Sequence, residues 1–377
     1  MDFSFDLLCG SKAASVARAS GKGDPPVKPR LAELLACPEC SGPLRVHIEH
    51  QDSEEILAGL LGCPKCRCDF PIRDGIPRFV QSDAYTASFS FEWKQWRRTQ
   101  FDTASRNLSE STFVVSTGTR PPELDGKLVL DVGCGSGRFM DVVARAGAET
   151  VGLDLSLAVD VARQNLRSLP NCHFIQADAL FPPFRSGTFD FAYSIGVLPN
   201  TSDSREGFLR MAATLKPQGV AAIWVYPRRR LTETFQYFPE RVNEVLAQDV
   251  NFRIPAKWQK LVSRLAPEFD WVTETSSRLE RFFTTRLPRR WLYALCHVAI
   301  PLYYVYRVPI FYPLRLLTKI AMHPDPEWRV LDTFDWYSPR YQWKHTYAQV
   351  QAWFEKAGLE NITLLPRPVA MRGNKPA

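Results

Sequence analysis

Residues 129–139 read Val-Leu-Asp-Val-Gly-Cys-Gly-Ser-Gly-Arg-Phe, an apolar run that meets an acid and opens into a glycine-rich turn. Strand, tight turn and helix are expected in that order, because glycine lets backbone come close to a ligand. The alternation continues outward from this point. RFMDVVARAG reads as a helix closed by Gly147, TVGLDL as a strand, and SLAVDVARQNLRSL as a helix with Ser156 as N-cap. HFIQAD, FDFAYSIG and GVAAIWVYP supply three more strands. This pattern predicts an α/β fold with a parallel, doubly wound sheet and right-handed crossovers. Beyond a long interruption, Thr346-x-x-Gln349 predicts a capping box opening the helix TYAQVQAWFEKAG, which Gly358 closes. NITLLP and the stretch near Val369–Arg372 then predict an antiparallel hairpin at a sheet edge.

Spacing decides what the turn binds. A dinucleotide fingerprint is GxGxxG with pyrophosphate on the helix N-terminus. Here Gly133, Gly135 and Gly137 form GxGxG behind Asp131, and a carboxylate at that mouth suits a cation. S-adenosylmethionine (SAM) carries a sulfonium and an ammonium, so it fits where NAD does not. Asp154 ends the second strand, where a carboxylate can accept from both ribose hydroxyls. Asp178 ends the third, where it can accept from an adenine amino group while the Ala179 N–H supports a ring nitrogen.

Together with Phe189-Asp190-Phe-Ala-Tyr-Ser-Ile-Gly-Val-Leu and Leu215-Lys-Pro-Gln-Gly219, these residues resemble the class I SAM-dependent methyltransferases over about 126–227 and 340–372. The resemblance implies a Rossmann-like seven-stranded sheet. Its cofactor set is Asp131, Gly133, Gly135, Gly137, Asp154, Leu155, Asp178, Ala179 and Ile195. Many relatives carry His–His or His–Phe after Val-Leu on the fourth strand. This chain has Pro199-Asn200, so any imidazole role there is lost.

Cys37-Pro-Glu-Cys40 and Cys63-Pro-Lys-Cys66 are two CPxC turns whose thiolates can close a tetrahedron around Zn²⁺, the intervening residues forming a hairpin between them. Cys68 competes as a ligand, but CxxC geometry favours Cys66. With the exit FPIRDGIPRF, about 50 residues here resemble the small zinc-ribbon family found beside or fused to methyltransferases. Four cysteines leave no open position for water, so the expected zinc is structural.

The chain has 377 residues, 47 Lys+Arg and 40 Asp+Glu, a net charge of +7. Sixteen basic and nine acidic residues lie between Pro227 and Asp325, and the remainder balances at 31 of each. A uniformly basic nucleic-acid coat is thereby disfavoured. Asp2 and Asp6 break the N-terminal apolar run, so no secretory signal is expected, and nine cysteines with two CxxC pairs suggest reduced cytosol. The expected organisation is a flexible leader (1–30), zinc ribbon (31–80), aromatic-basic connecting segment (81–125) and SAM-binding core (126–227). A basic helical insertion (228–325) and an acceptor-side segment with the last helix and strands (326–377) complete it.

Methyl transfer is an in-line displacement that depends chiefly on alignment, with a base needed only if the acceptor must lose a proton. Candidates lie in Asp332-Thr-Phe-Asp335-Trp-Tyr337-Ser-Pro…His345-Thr, which looks like a segment shaping the acceptor pocket in a bacterial methyltransferase subgroup. His345 leads by intrinsic pKa, followed by Tyr337 and Asp335. Residues 291–322 mix Tyr and Trp with Arg307, Arg315 and Lys319, contain no acid and are broken by Pro301. They are too interrupted to span a membrane and suit an interfacial or lid-like insertion. The favoured reading is a cytoplasmic methyltransferase of a small-molecule, glycan or lipid-linked acceptor, with peripheral contact at the inner membrane surface through 291–322. An RNA base methyltransferase, with Trp93, Trp96, Arg97 and Arg98 stacking and pairing with RNA, is the alternative. A non-catalytic binding module is the third class.

Overall fold

A computed structural model describes residues 29–52, 55–80, 87–104, 106–242, 256–308, 310–311 and 319–377. The expected leader falls almost wholly outside these residues, as do 81–86 of the connecting segment and 243–255, 309 and 312–318 of the insertion.

The first unit is built on its cysteine turns. Helix α1 (Pro29–Leu34) leads to a sheet of four antiparallel strands in sequential order, β1 (Arg45–Asp52), β2 (Glu55–Gly62), β3 (Asp69–Arg73) and β4 (Ile76–Pro77). Hairpin β1–β2, with Arg45 opposite Gly62, brings the two CPxC turns together as expected. Each turn repeats the other's hydrogen bonds. Cys37 N–H donates to Gly42 O (2.9 Å) and Ser41 N–H to Cys37 O (2.8 Å). Cys63 N–H donates to Cys68 O (2.9 Å) and Arg67 N–H to Cys63 O (2.9 Å). Ser41 and Arg67 both take left-handed backbone, at φ 54° and 61°.

Helices α2 (Ala87–Gln95) and α3 (Leu108–Thr117) precede the large sheet. That sheet holds β5 (Leu128–Val132), β6 (Glu149–Asp154), β7 (Cys172–Gln176), β8 (Phe189–Ile195), β9 (Leu215–Trp224), β10 (Glu360–Leu365) and β11 (Ala370–Asn374). Its order is β10-β11-β9-β8-β5-β6-β7, parallel from β9 to β7 and antiparallel through β11 and β10. This is the expected Rossmann-like methyltransferase sheet, with the hairpin at one edge. Every residue of β5 and β7 is buried, the polar Asp131, His173 and Gln176 included, as expected of strands covered on both faces. Helices α4 (Arg138–Arg145), α5 (Ala158–Asn165) and α6 (Ser204–Ala213) are the crossovers. Ser156 is not the N-cap of α5. Its hydroxyl donates to Asp154 Oδ1 (2.7 Å) and accepts from Ala158 N–H (3.1 Å), so it braces the strand-end acid instead.

The cysteine unit docks on the β7 edge. Phe79 N–H donates to Gln176 O (2.8 Å), Ala36 N–H to Pro183 O (2.9 Å), and Arg78 makes paired bonds to Asp160 (2.5 and 3.1 Å). Leu31, Leu35, Phe70 and Phe79 share one apolar core with Ile175, Phe184 and Phe189 of the large domain.

The insertion comprises α7 (Arg230–Tyr237), α8 (Ala256–Thr284), α9 (Arg289–Cys296) and α10 (Ala299–Val305), followed by α11 (Pro326–Tyr337). Asp270 on α8 accepts from Leu231 N–H (3.0 Å) and Thr232 N–H (2.9 Å), tying α8 across the start of α7. Helix α12 (Tyr347–Lys356) carries the predicted capping box: Thr346 accepts from Gln349 N–H (3.3 Å), and Gln349 Oε1 accepts from Thr346 N–H (3.0 Å).

Candidate functional site

A cavity of about 960 Å³ opens at the carboxyl ends of β5, β6 and β8 and runs beneath α8 and α11. It lies at the upper end of the range typical of ligand sites and has room for more than one small molecule. Gly133 and Gly135 form one wall at positive φ (83° and 53°). A Cβ on Gly133 would lie 2.2 Å from Val197, and one on Gly135 would lie 3.1 Å from the Trp93 indole. The turn therefore needs glycine for space as well as for conformation.

Asp154 and Asp178 both face the cavity. Asp154 Oδ2 accepts from Gly135 N–H (2.9 Å) and Oδ1 from Ser156 N–H (2.8 Å), which fixes its direction. Asp178 Oδ1 accepts from Leu180 N–H (2.9 Å), but its buried Oδ2 has no partner. A buried, unpaired carboxylate oxygen is costly, so this atom fits a donor such as an adenine amino group. Leu155, Ala179 and Ile195 line the same space. Asp131 and Gly137 lie behind the wall rather than on it. Asp131 is buried, accepts from Tyr193 Oη (2.8 Å), and is pushed up to about 7 by burial. Gly137 packs toward Ala162 and Leu166.

Beyond the glycine turn the wall becomes acidic. Glu92 from α2 and Asp332 and Asp335 from α11 share this part of the cavity with Arg138. Burial pushes Asp332 up to about 7, with help from the Asp335 charge, and Asp335 to about 6. Burial also raises Glu92 well above the carboxylate range, and its Oε2 is buried without a partner. Asp332 is spoken for, accepting from Gln100 Nε2 (3.0 Å) and Trp328 Nε1 (3.0 Å). Asp335 makes no hydrogen bond to a described residue and faces the cavity. A carboxylate poised near neutrality can take a proton from an acceptor.

His345, favoured as base on the sequence, is elsewhere. Its Nε2 pairs with Ser204 Oγ (3.1 Å), its ring stands edge-on to Trp353, and burial pulls it down to about 4. It does not line the cavity. Its role is to join the segment after α11 to α6. Tyr337 does line the cavity, but its hydroxyl donates to Lys319 O (2.7 Å). Asp335 is thus the member of the expected catalytic trio best placed to act as a base.

The far end mixes two lysines with Glu280, whose carboxyl burial pushes up. Lys344 and Lys319 line it, and burial together with the Lys319 charge brings Lys344 down to about 8. The sequence reading missed Glu92, Arg138, Asn200 and Lys344. Asn200 lines the cavity, and its Nδ2 donates to Gly196 O (3.1 Å) while its buried Oδ1 has no partner. Glu92 had one signal, an acid set between Phe91 and Trp93 in an aromatic run. Trp96 is buried against Phe334 and Tyr293 and offers no stacking face to RNA, whereas Trp93 belongs to the cavity wall.

The roof is α8 with the stretch 319–344; residues 291–308 line no part of the cavity. At the opposite edge of the large sheet, the Sγ atoms of Cys37, Cys40, Cys63 and Cys66 lie within 4.8 Å of one another. Cys37–Cys66 and Cys40–Cys63 approach to 3.5 Å, and none of the four is in a disulfide. A Cβ on Gly42 would lie 3.1 Å from Cys40 Sγ, so the turn has been cleared around the sulfurs. Four converging soft ligands suit tetrahedral Zn²⁺.

Residues 130–223 match the methyltransferase domain family, and residues 28–75 match the Trm112p-like protein family. Among curated proteins, an O-methyltransferase of Penicillium expansum is 36% identical over 105 residues, covering 26% of this chain and 38% of that protein. A demethylmenaquinone methyltransferase of Tropheryma whipplei is 32% identical over 162 residues, 41% of this chain and 65% of its own. A probable tRNA methyltransferase 9B of Mus musculus is 33% identical over 116 residues, 29% of this chain and 24% of its own. The chain thus spans between a quarter and two thirds of the relatives' lengths. It carries a class I SAM-dependent methyltransferase domain joined to a Trm112p-like ribbon.

Proposed function

We propose that this chain transfers a methyl group from SAM to a small-molecule, glycan or lipid-linked acceptor drawn under the roof helices. The observation that carries this reading is continuity. One cavity joins the glycine turn, the acidic stretch at Asp335 and the end where Lys344 and Lys319 stand with Glu280. When bound, SAM supplies an electrophilic methyl on a sulfonium. Asp154 would hold the ribose hydroxyls, and Asp178 Oδ2 the adenine amino group. Asp335 would accept the acceptor's proton, and Lys344 would face an anionic group on the acceptor. The roof would exclude water, so alignment, not acid catalysis, provides most of the acceleration. The four-cysteine cluster would hold a structural Zn²⁺ that stiffens the ribbon. The expected place of action is the cytoplasm and the inner face of its membrane.

The probable tRNA methyltransferase among the relatives favours RNA as a second reading. The buried Trp96 and the balanced charge outside 227–325 weigh against it. Methyl-labelled SAM incubated with the protein and fractionated cell extract separates the two. Label should enter the polar small-molecule or lipid-extractable fraction and should disappear with Asp154→Ala. Label confined to RNA would replace this reading by the second.

A further inference from the structure

The outer surface of the insertion has an organisation that the cavity does not use. At about 100° per residue, Leu261, Leu265, Val272, Leu279 and Phe283 fall within an arc of about 40° on α8. All five are exposed, between 38% and 63%. Trp291, Leu295 and Val298 repeat the pattern at i, i+4 and i+7 and are at least half exposed. On the neighbouring face of α9, Leu292 and Cys296 are buried against Trp96, Val330 and Phe334. This helix therefore has two apolar faces, one covered by protein and one not.

The uncovered face continues through Tyr304, Val308, Ile310 and Phe311, with Ile310 78% exposed. Arg286, Arg289, Arg290 and Arg307 are interleaved with it, and none has a carboxylate partner among the described residues. No Asp or Glu occurs from Arg281 to Pro324. No helix among the described residues is long and apolar enough to cross a membrane.

We propose that the outer face of 282–308 with Ile310 and Phe311, continued by the stripe on α8, is a monotopic docking surface for a bilayer containing anionic phospholipid. Charge complementarity selects this occupant. A second copy of the chain, meeting the 282–308 part of this face across a two-fold axis, would set arginine against arginine with no acid from that segment to oppose it; the one acid in the α8 stripe, Glu268, lies away from these arginines, between Leu265 and Val272. A bilayer supplies phosphate to the arginines and acyl chains to Trp291, Leu295 and Phe283. Arg stems and Tyr and Trp rings suit that boundary, because each carries an apolar body with a polar end. The helices would lie in the interface rather than span it. The inference stands whether or not the methyl acceptor is itself a lipid.

Flotation of the full chain with vesicles tests it, using phosphatidylcholine alone and phosphatidylcholine mixed with phosphatidylglycerol. Calorimetric SAM binding verifies that each variant is folded. The wild type should float with the anionic vesicles and lose most of that binding at high salt. Trp291→Ser with Leu295→Ser should weaken partitioning by about ten-fold or more. Arg289→Glu with Arg290→Glu leaves the apolar face intact and should abolish the preference for anionic lipid. Ile48→Ser, an exposed apolar position on the ribbon, should float like the wild type. Wild type that binds SAM but does not float, or flotation indifferent to both double variants, overturns the proposal. A concentration-dependent dimer that the Trp291 and Leu295 changes dissociate, without flotation, would assign the face to a second copy.

Discussion

Helices α6 and α8 carry the same kind of apolar spacing and end in opposite environments. On α6, Gly207, Phe208, Met211 and Ala212 follow Ser204 at the i+3, i+4, i+7 and i+8 positions, and all are buried, with Phe208 held between the sheet and helix α12. On α8, Leu261, Leu265, Val272, Leu279 and Phe283 share one outward face, interrupted by Glu268 and Thr275. Periodicity shows that a helix has a face to cover and leaves open what covers it. In the core the cover is the sheet, and burial there stabilises the fold. On the insertion the stripe contributes nothing to the isolated chain, so its apolar residues are free to serve another surface.

The sharpest way to break this contrast is at the ribbon, whose core is continuous with the sheet. Cys63→Ser should remove one of the four thiols that would hold the proposed Zn²⁺ and lower stability by more than about 5 kcal/mol, seen as a collapse of the thermal transition. A wild-type melting curve would separate the ribbon from the shared core. Phe208→Ala should cost about 3–5 kcal/mol in denaturant unfolding, because Phe208 stacks on Phe354 with centroids at 4.5 Å inside the core. Asp154→Ala should leave the fold in place but weaken SAM binding by about 1.5–3 kcal/mol, roughly ten- to a hundred-fold by calorimetry.

His345→Gln tests the seam where the roof rejoins the core. Burial pulls His345 from 6.5 to about 4, so between those values the folded state binds fewer protons than the unfolded chain. Its contribution to stability is complete above 6.5 and is lost as pH falls toward 4. Denaturant unfolding should therefore show the wild type losing on the order of 1–2 kcal/mol more than the variant when acidified through that window. The smallest effect is the most telling. Leu279→Ala should change stability by less than about 0.5 kcal/mol, ten-fold below Phe208→Ala in the same assay. A loss of several kcal/mol there would mean that a protein surface covers the stripe.

The parts legible in sequence are those where local chemistry and tertiary position coincide. Asp154 and Asp178 end apolar strands, and the carboxyl edge of a parallel sheet is where its ligands sit, so their place follows from their neighbours. The duplicated CPxC turn likewise carries its own geometry. Glu92 enters the site only because α2 packs near α11, a contact between residues about 240 positions apart in sequence, which no local pattern encodes. His345 misled for a complementary reason. Its solution pKa made it the natural base, but burial beside Trp353 removes that property. Ser156 met the statistics of an N-cap, and the nearby Asp154 carboxylate took its hydroxyl.

The pairing of Phe79 with Gln176 on β7 has a consequence for solubility. Strand β7 is the last of its sheet, and an open edge of parallel strand is a template on which another chain can add. Here the ribbon covers it, with Arg78 locked to Asp160 and Gln176 as the latch. With the proposed Zn²⁺ in the four-cysteine cluster, metal starvation in a growing cell would then do more than loosen a small appendage. It would uncover a sticky strand on newly made chains, and the visible outcome would be aggregates and proteolysis rather than an inactive soluble enzyme.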